Sequence, residues 1–254
     1  MEKFFSKKRK YQDQHENTNV DVLDIPNKKK ELLDVPILCN THVPISLITN
    51  SKLEETSIKG LKVKYGTIFS KSTADYIYKT LEEEIKYDRQ SQVKIFGKTF
   101  DIPRKQKAYG DSGLTYTFSN VTVPASNWLP ILTELKSTIR GLVNCELNFV
   151  LINRYKDGQD YMGEHQDNEK DLDPSAPIVS LSFGQDRDFV FKHKDMKLRK
   201  CKDASLKKVF KLEHGSLLVM EPPTNNCWYH GLPKRSISSC PNPRINLTFR
   251  KMMT

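Results

Sequence analysis

His165 and Asp167 stand two residues apart in Gly-Glu-His-Gln-Asp, and a further histidine, His230, follows 65 residues after the first. In extended chain, alternate side chains share a face, so an imidazole and a carboxylate at this spacing converge on one point. Two histidines and one carboxylate can occupy one face of an octahedral iron(II), leaving positions open for a co-substrate and O2. A His-x-Asp pair alone is more often surface polarity than a ligand pair, so its company decides. Arg244, Asn246, Thr248 and Arg250 fall on one face of a single strand pattern, with Ile245, Leu247 and Phe249 on the other. Two inward arginines are costly unless anions meet them. A dicarboxylate co-substrate supplies two carboxylates, which guanidinium binds bidentately. Asn153 and Tyr155 also share a face and can donate to the same ligand. Salt bridges on a rim are the other reading of the arginines.

These residues need a scaffold that brings distant strands together. From Leu147 onward the pattern is strand: Leu147–Tyr155, Ile178–Phe183, Asp188–Lys192, Lys207–Leu212, Ser216–Met220, Trp228–His230 and Arg244–Lys251. The runs are short, β-branched or aromatic, and punctuated by Asp157-Gly158, Gly184 and His214-Gly215. Two helices precede them. Ala74, Ile77, Tyr78, Leu81 and Ile85 recur at helical spacing, with Ser72 and Asp75 as a capping-box-like start. Trp128 to Arg140 is the second helix, with Pro130 in its first turn and Gly141 beyond its end. Helices followed by many strands imply an α+β chain whose main body is an antiparallel sandwich or barrel.

Composition narrows the class. Lys and Arg number 41 against 31 Asp and Glu, a formal net charge of +10. Residues 1–56 hold nine basic and nine acidic side chains, so the whole excess lies later, with ten basic and three acidic in 187–211 alone. Such a basic stretch suits a polyanion, most often nucleic acid, or else a solvated loop. No apolar run approaches the roughly 20 residues of a membrane helix, and no apolar stretch of a secretory signal follows the basic opening residues. Five scattered cysteines without a Cys-x-x-Cys argue for a reducing compartment. A soluble, basic, intracellular protein is expected. Residues 1–56 read as a mostly disordered tail in which Lys7–Lys10 and Lys28–Lys30 suit nuclear import. Residues 57–254 read as the globular domain.

Asn153-Arg-Tyr155, His165-x-Asp167, His230 and Arg244-x-Asn-x-Thr-x-Arg250 together resemble the AlkB family of iron(II)/2-oxoglutarate dioxygenases. Longer stretches carry the resemblance further, to the animal nuclear branch that repairs duplex DNA: VKIFGKTFDIPRKQKAYGDSGLTYTFS at 93–119, FVLINRYKDG at 149–158, SFGQDRDFVFKHKD at 182–195, HGSLLVM at 214–220 and INLTFRK at 245–251. It covers about residues 60–254. The resemblance implies a double-stranded β-helix (jelly-roll) core with flanking helices and a nucleotide-recognition lid at about 86–123. It implies iron at His165, Asp167 and His230, and 2-oxoglutarate on Asn153, Tyr155, Arg244, Asn246, Thr248 and Arg250. The reaction it implies is oxidation by O2 of an N-linked methyl to an unstable hemiaminal, releasing formaldehyde, succinate and CO2. Expected substrates are 1-methyladenine and 3-methylcytosine, with etheno adducts beside them. A related RNA demethylase, or a non-catalytic basic nuclear adaptor, is the competing reading.

A lesion inside a duplex must be flipped out to reach an enclosed metal. The resemblance makes Phe96, in the apolar tip Ile95-Phe96-Gly97, the wedge that fills the gap. It stacks Phe118 on the flipped base, with Tyr116 and Glu169 at its edge; an electron-rich ring suits a cationic methylated base. Arg104, Lys105, Lys194, Lys207, Lys234 and Arg235 are expected on the DNA, and phosphate contacts among them read no sequence. Family members carry a short sliding-clamp motif, basic–aromatic–aliphatic–aliphatic–basic. Here Lys3-Phe4-Phe5-Ser6-Lys7 departs from it at Phe5 and Ser6, while Met1-x-x-Phe4-Phe5 resembles the apolar half of the other clamp-binding box. Clamp binding through residues 1–10 and a monomer in the nucleus are the expectations.

Overall fold

The computed structural model describes residues 45–49, 51–87, 92–95, 98–118, 121–167, 170–197 and 203–253. For 93–95, 98–100, 116, 118, 121, 123 and 197 the description stops at the backbone. The expected import clusters and clamp motif of the tail lie outside the described residues. In chain order the elements are β1 (Glu54–Ile58), β2 (Leu61–Thr67), α1 (Lys71–Glu84), β3 (Gln92–Ile95), β4 (Lys98–Asp101), β5 (Lys105–Gly110), β6 (Thr115–Phe118), β7 (Val121–Pro124), α2 (Pro130–Val143), β8 (Phe149–Tyr155), β9 (Met162–His165), β10 (Ile178–Gly184), β11 (Arg187–His193), β12 (Lys207–Leu212), β13 (Ser216–Met220), α3 (Thr224–Cys227), β14 (Trp228–Leu232) and β15 (Arg244–Arg250).

Seven strands form one antiparallel sheet in the order β1-β2-β13-β10-β15-β8-β5, and four form a second, β12-β11-β14-β9. Between them Leu61, Val63, Ile178, Leu218 and Met220 of the first sheet meet Phe191, Leu212 and Trp228 of the second. This is the expected jelly-roll core. The other face of the large sheet is covered by the two helices. Ala74, Ile77 and Leu81 of α1 and Ile131, Leu132, Leu135 and Ile139 of α2 pack on Val150, Ile152, Leu181, Ile245, Leu247 and Phe249. Each of the Ile, Leu, Val and Phe side chains contributes about 1.5–3 kcal/mol on burial, so the helices pin the strands that carry the polar inner face. No described helix is long and apolar enough to cross a membrane.

The helix ends differ from the expected ones. Ser70, not Ser72, caps α1: its Oγ accepts from the Thr73 amide at 3.2 Å. Asp75, the acidic member of the expected box, instead pairs with Lys71 and His214. Helix α2 runs through Gly141 to Val143 and stops at Asn144, which takes the left-handed conformation at φ 48°. It continues because Leu142 and Val143 still have core to cover. Asparagine tolerates that conformation through its short polar side chain. The domain also begins earlier than residue 57. The Ile45 amide donates to Glu134 Oε1 at 2.8 Å, the Ile48 amide to the Ile68 carbonyl at 2.8 Å, and β1 starts at Glu54. A single edge strand of mixed polarity leaves no periodic signal there.

Candidate metal centre and co-substrate pocket

His165 ends β9 and His230 lies within β14, and the two are direct cross-strand partners. Their rings lie 4.4 Å apart, centroid to centroid. Asp167 follows two residues after His165, beyond the strand. Its Oδ1 is 3.4 Å from His165 Nε2 and 3.7 Å from His230 Nε2. One ligand atom from each of the three lies within 4.8 Å of the others. His165 Nδ1 sits 3.0 Å from the Gly163 carbonyl. With the proton of a neutral ring donated from Nδ1 to that carbonyl, the Nε2 lone pair is left toward Asp167. Burial pushes the His230 imidazole below its ordinary value, which favours the neutral form that can ligate a metal.

Asp167 is buried, which alone would raise its carboxyl. The Arg250 guanidinium, with the two histidines close by, outweighs burial and holds it well below the usual carboxylate range. Arg250 Nε and Nη2 donate to Oδ2 at 3.2 and 2.8 Å. One oxygen is therefore engaged by arginine while the other faces two imidazole nitrogens. An anionic oxygen and two nitrogen lone pairs turned on one spot fit a divalent cation.

The inner face of β8, β15 and β10 forms the polar wall beside this cluster. Tyr155 pairs in register with Arg244, Asn153 with Asn246, and Ser180 with Thr248. A cavity of about 610 Å³ joins Asn153, Ser180, Asn246, Thr248 and Arg250 to the three candidate ligands. Ile178, Phe189, Leu218 and Met220 complete it with apolar surface. Arg244 and Tyr155 are not in that lining; they pack on each other, the guanidinium 5.4 Å from the ring centroid. Arg244 is 2% exposed. Its Nη2 donates to Ser182 Oγ at 3.0 Å, while Nε and Nη1 find no partner among the described residues. Burial pushes the guanidinium down to about 10. A buried cation with two undirected donors and no carboxylate beside it fits an anionic co-substrate group.

Several residues have partners that their sequence pattern did not announce. Asn246 donates to Ser180 Oγ and the Leu181 carbonyl, bracing β15 on β10, and Thr248 donates to Asn246 Oδ1. Arg104, expected on the DNA, borders the cavity. Its Nε donates to Asn153 Oδ1 at 2.8 Å, beside Gln106 Nε2 at 3.0 Å. With Oδ1 taken twice, Asn153 keeps its amide hydrogens for a ligand. Gln106, Ser180, Ser182 and Asn225 had no motif to announce them. Lys105, Lys194, Lys207 and Lys234 are exposed, and Arg235 pairs with Asp188 at 2.6 Å. The basic stretch 187–211 is less free than its count suggests. Arg187 is buried and donates to the Asp157, Asp160 and Pro233 carbonyls, Lys192 pairs with Glu164, and Lys211 pairs with Asp186. Phe96 and Glu169 lie outside the described residues. Tyr116 and Phe118 are described only as backbone of β6, whose Thr117 borders the cavity. Of the expected lid, β5 belongs to the large sheet, and hairpins β3–β4 and β6–β7 flank it in sequence.

A jelly roll with two histidines and a carboxylate at a cavity between its sheets defines a non-haem iron oxygenase. The chain belongs to the 2OG-Fe(II) oxygenase superfamily, whose profile matches residues 63–250. That family uses iron(II), 2-oxoglutarate and O2. The chain is similar to the DNA oxidative demethylase ALKBH2 of Mus musculus, 46% identical over 199 residues, or 77% of this chain and 82% of the mouse protein. The Homo sapiens protein of that name is 47% identical over 77% of this chain and 75% of its own length. The alpha-ketoglutarate-dependent dioxygenase alkB homolog 3 of Mus musculus is 35% identical over 70% of this chain and 61% of its own. Among solved structures, OsALKBH1 aligns with a TM-score of 0.51 at 14% identity, covering 78% of this chain and 99% of that one. That last likeness is one of fold.

Proposed function

We propose that the chain is a nuclear DNA-repair dioxygenase that removes N-linked alkyl groups, 1-methyladenine and 3-methylcytosine first and etheno adducts beside them, from duplex DNA. The observation that carries this reading is the 46–48% identity, over 77% of the chain, with proteins named DNA oxidative demethylases.

His165, Asp167 and His230 are the residues to hold iron(II). When bound, it supplies oxidation of the N-methyl group by O2, coupled to decarboxylation of 2-oxoglutarate. The chain's own residues do the rest. Arg250 keeps Asp167 ionised and turns one carboxylate oxygen toward the histidines. Arg244, stacked on Tyr155, receives the far carboxylate of 2-oxoglutarate through its two undirected donors. Asn153 donates its amide to the same co-substrate, while Asn246 and Thr248 keep β15 in place. Phe189, Ile178, Leu218 and Met220 exclude water from the reacting methyl.

Phe96 wedges into the duplex, and Tyr116, Phe118 and Glu169 hold the extruded base; extrusion costs a few kcal/mol, least where alkylation has already broken the pair. Lys105, Lys194, Lys207, Lys234 and Arg235 grip phosphates, which positions the enzyme without selecting sequence. Residues 1–10 dock on the replication sliding clamp, and the enzyme works as a monomer. Incubation with iron(II), 2-oxoglutarate and a 1-methyladenine duplex tests the central claim: unmodified adenine and formaldehyde should appear together. Absence of both sinks it, and faster repair of the same lesion in RNA moves the substrate to RNA. Titrating a 1–12 peptide against the clamp tests the docking; no saturable binding ends that part.

A further inference from the structure

We propose that Asn225 is a positioning residue that fixes the carboxylate ligand Asp167 by clamping its backbone; this rests on the metal reading above. His165 and His230 sit in paired strands, so the β9–β14 ladder sets their places. Asp167 has no such support, because it lies two residues past the end of β9. Asn225 supplies it. The Asp167 amide donates to Asn225 Oδ1 at 3.0 Å, and Asn225 Nδ2 donates to the Asp167 carbonyl at 2.7 Å. One side-chain amide thus satisfies both backbone groups of the ligand residue in a closed pair, as a neighbouring strand would.

The clamp is anchored at its other end. Gln166 Nε2 donates to the Asn225 carbonyl at 2.6 Å, tying the same loop to the turn a second time. The turn itself is fixed to β2. Thr224 is fully buried and its Oγ1 exchanges hydrogen bonds with Lys62, accepting from the amide at 2.7 Å and donating to the carbonyl at 3.0 Å. Trp228 Nε1 donates to the Lys59 carbonyl at 3.1 Å. The loop that carries Asp167 is therefore stitched to the turn that leads into the strand of His230. With its backbone held by Asn225 and Oδ2 held by Arg250, Asp167 has one oxygen left, and that oxygen faces the histidines. Asn225 reaches the metal position only through Asp167.

Outer partners of metal ligands typically change affinity about 10–100-fold when removed. The test is Mn(II) binding to the full chain, read by loss of the free-ion electron paramagnetic resonance signal, with Co(II) absorption as the spectroscopic signature. Asn225→Ala is expected to weaken Mn(II) binding about tenfold or more and to shift the Co(II) bands, with a metal-free melting temperature close to that of Asn226→Ala, a change at the exposed neighbouring residue. Asn225→Ser keeps a small polar turn residue too short to close the pair, and carries the same expectation should the alanine variant not fold. Wild-type affinity and an unshifted Co(II) spectrum in these variants overturn the proposal, whatever their melting temperatures. A wild type that takes up no Mn(II) overturns the metal reading and the proposal with it.

Discussion

Arg244→Met should make the protein more stable without co-substrate and less able to bind 2-oxoglutarate. Methionine nearly conserves the buried volume, so packing costs are small. The wild-type side chain buries two donors, Nε and Nη1, without partners; at about 1–3 kcal/mol each, removing them gains roughly 4 kcal/mol. Against this stand the hydrogen bond to Ser182 Oγ and the stacking on Tyr155, each worth about 1 kcal/mol. The difference is about 2 kcal/mol in favour of methionine, or about 4–8 °C in melting temperature for a domain of this size. The pH dependence has a definite sign. A base whose folded pKa, about 10, lies below its ordinary 12.5 destabilises the fold fully below pH 10 and less as pH rises past it. The advantage of methionine should therefore be constant between about pH 6 and 9.

Co-substrate should reverse the order. At 100 times its dissociation constant a ligand stabilises by about 2.7 kcal/mol. A buried carboxylate that loses its guanidinium costs about 2–5 kcal/mol, equivalent at its lower half to about a hundredfold in affinity. At the same 2-oxoglutarate concentration the variant then gains only about 0.4 kcal/mol. Thermal melts with Mn(II), with and without 2-oxoglutarate, read both effects: Arg244→Met melts higher without co-substrate and lower with it. If the variant melts below wild type in its absence and keeps the full wild-type shift in its presence, the anion-site reasoning is wrong.

Phe96→Ala should slow repair of a duplex lesion more than of the same lesion in single-stranded DNA, measured by product formation; equal loss on both removes the wedge. Gln106→Leu deletes one of two donors to Asn153 Oδ1, worth about 1 kcal/mol, so the KM for 2-oxoglutarate should rise roughly fivefold with kcat little changed; an unchanged KM argues against an oriented Asn153. Hydrogen bonds from Ser175 and Lys251 pull the Asp173 carboxyl down to about 2. Its stabilising effect is present above about pH 4 and fades as pH falls toward 2, so Asp173→Asn should lose stability at pH 6 and converge on wild type in acid melts. Asn144→Val should cost about 1–2 kcal/mol at the left-handed end of α2 and Asn144→Gly nothing, by urea unfolding.

How far the site could be read in advance depended on which physical signal each residue leaves in the chain. Strand β15 was legible because both its faces are buried and chemically opposite: Ile245, Leu247 and Phe249 against helices, Arg244, Asn246 and Arg250 toward the interior. Strand β9 was not, because four residues with two glycine or charged positions carry no alternation. His165 and His230 were visible as residue types, but their pairing is a register fact, set by β9–β14 hydrogen bonds across 65 residues. Asn225 left no trace, since its work is done on backbone groups that every sequence has. Charge counting erred in the same way at Arg187, which spends its charge on three backbone carbonyls rather than on solvent or phosphate.

The two arginines of β15 show where a correct pattern still under-determines roles. They are six residues apart, about 20 Å along an extended strand at roughly 3.3 Å per residue. Two side chains so far apart cannot grip one small dicarboxylate side by side; each must lean in from its own end. At one end Asp167 already stands, and Arg250 meets it at 2.8 Å. At the other end no carboxylate of the described residues stands near Arg244. Identical residue types on one face thereby meet different surroundings: Arg250 already has a carboxylate partner, while Arg244 has none among the described residues. The difference comes from what faces each arginine, which strand periodicity cannot report.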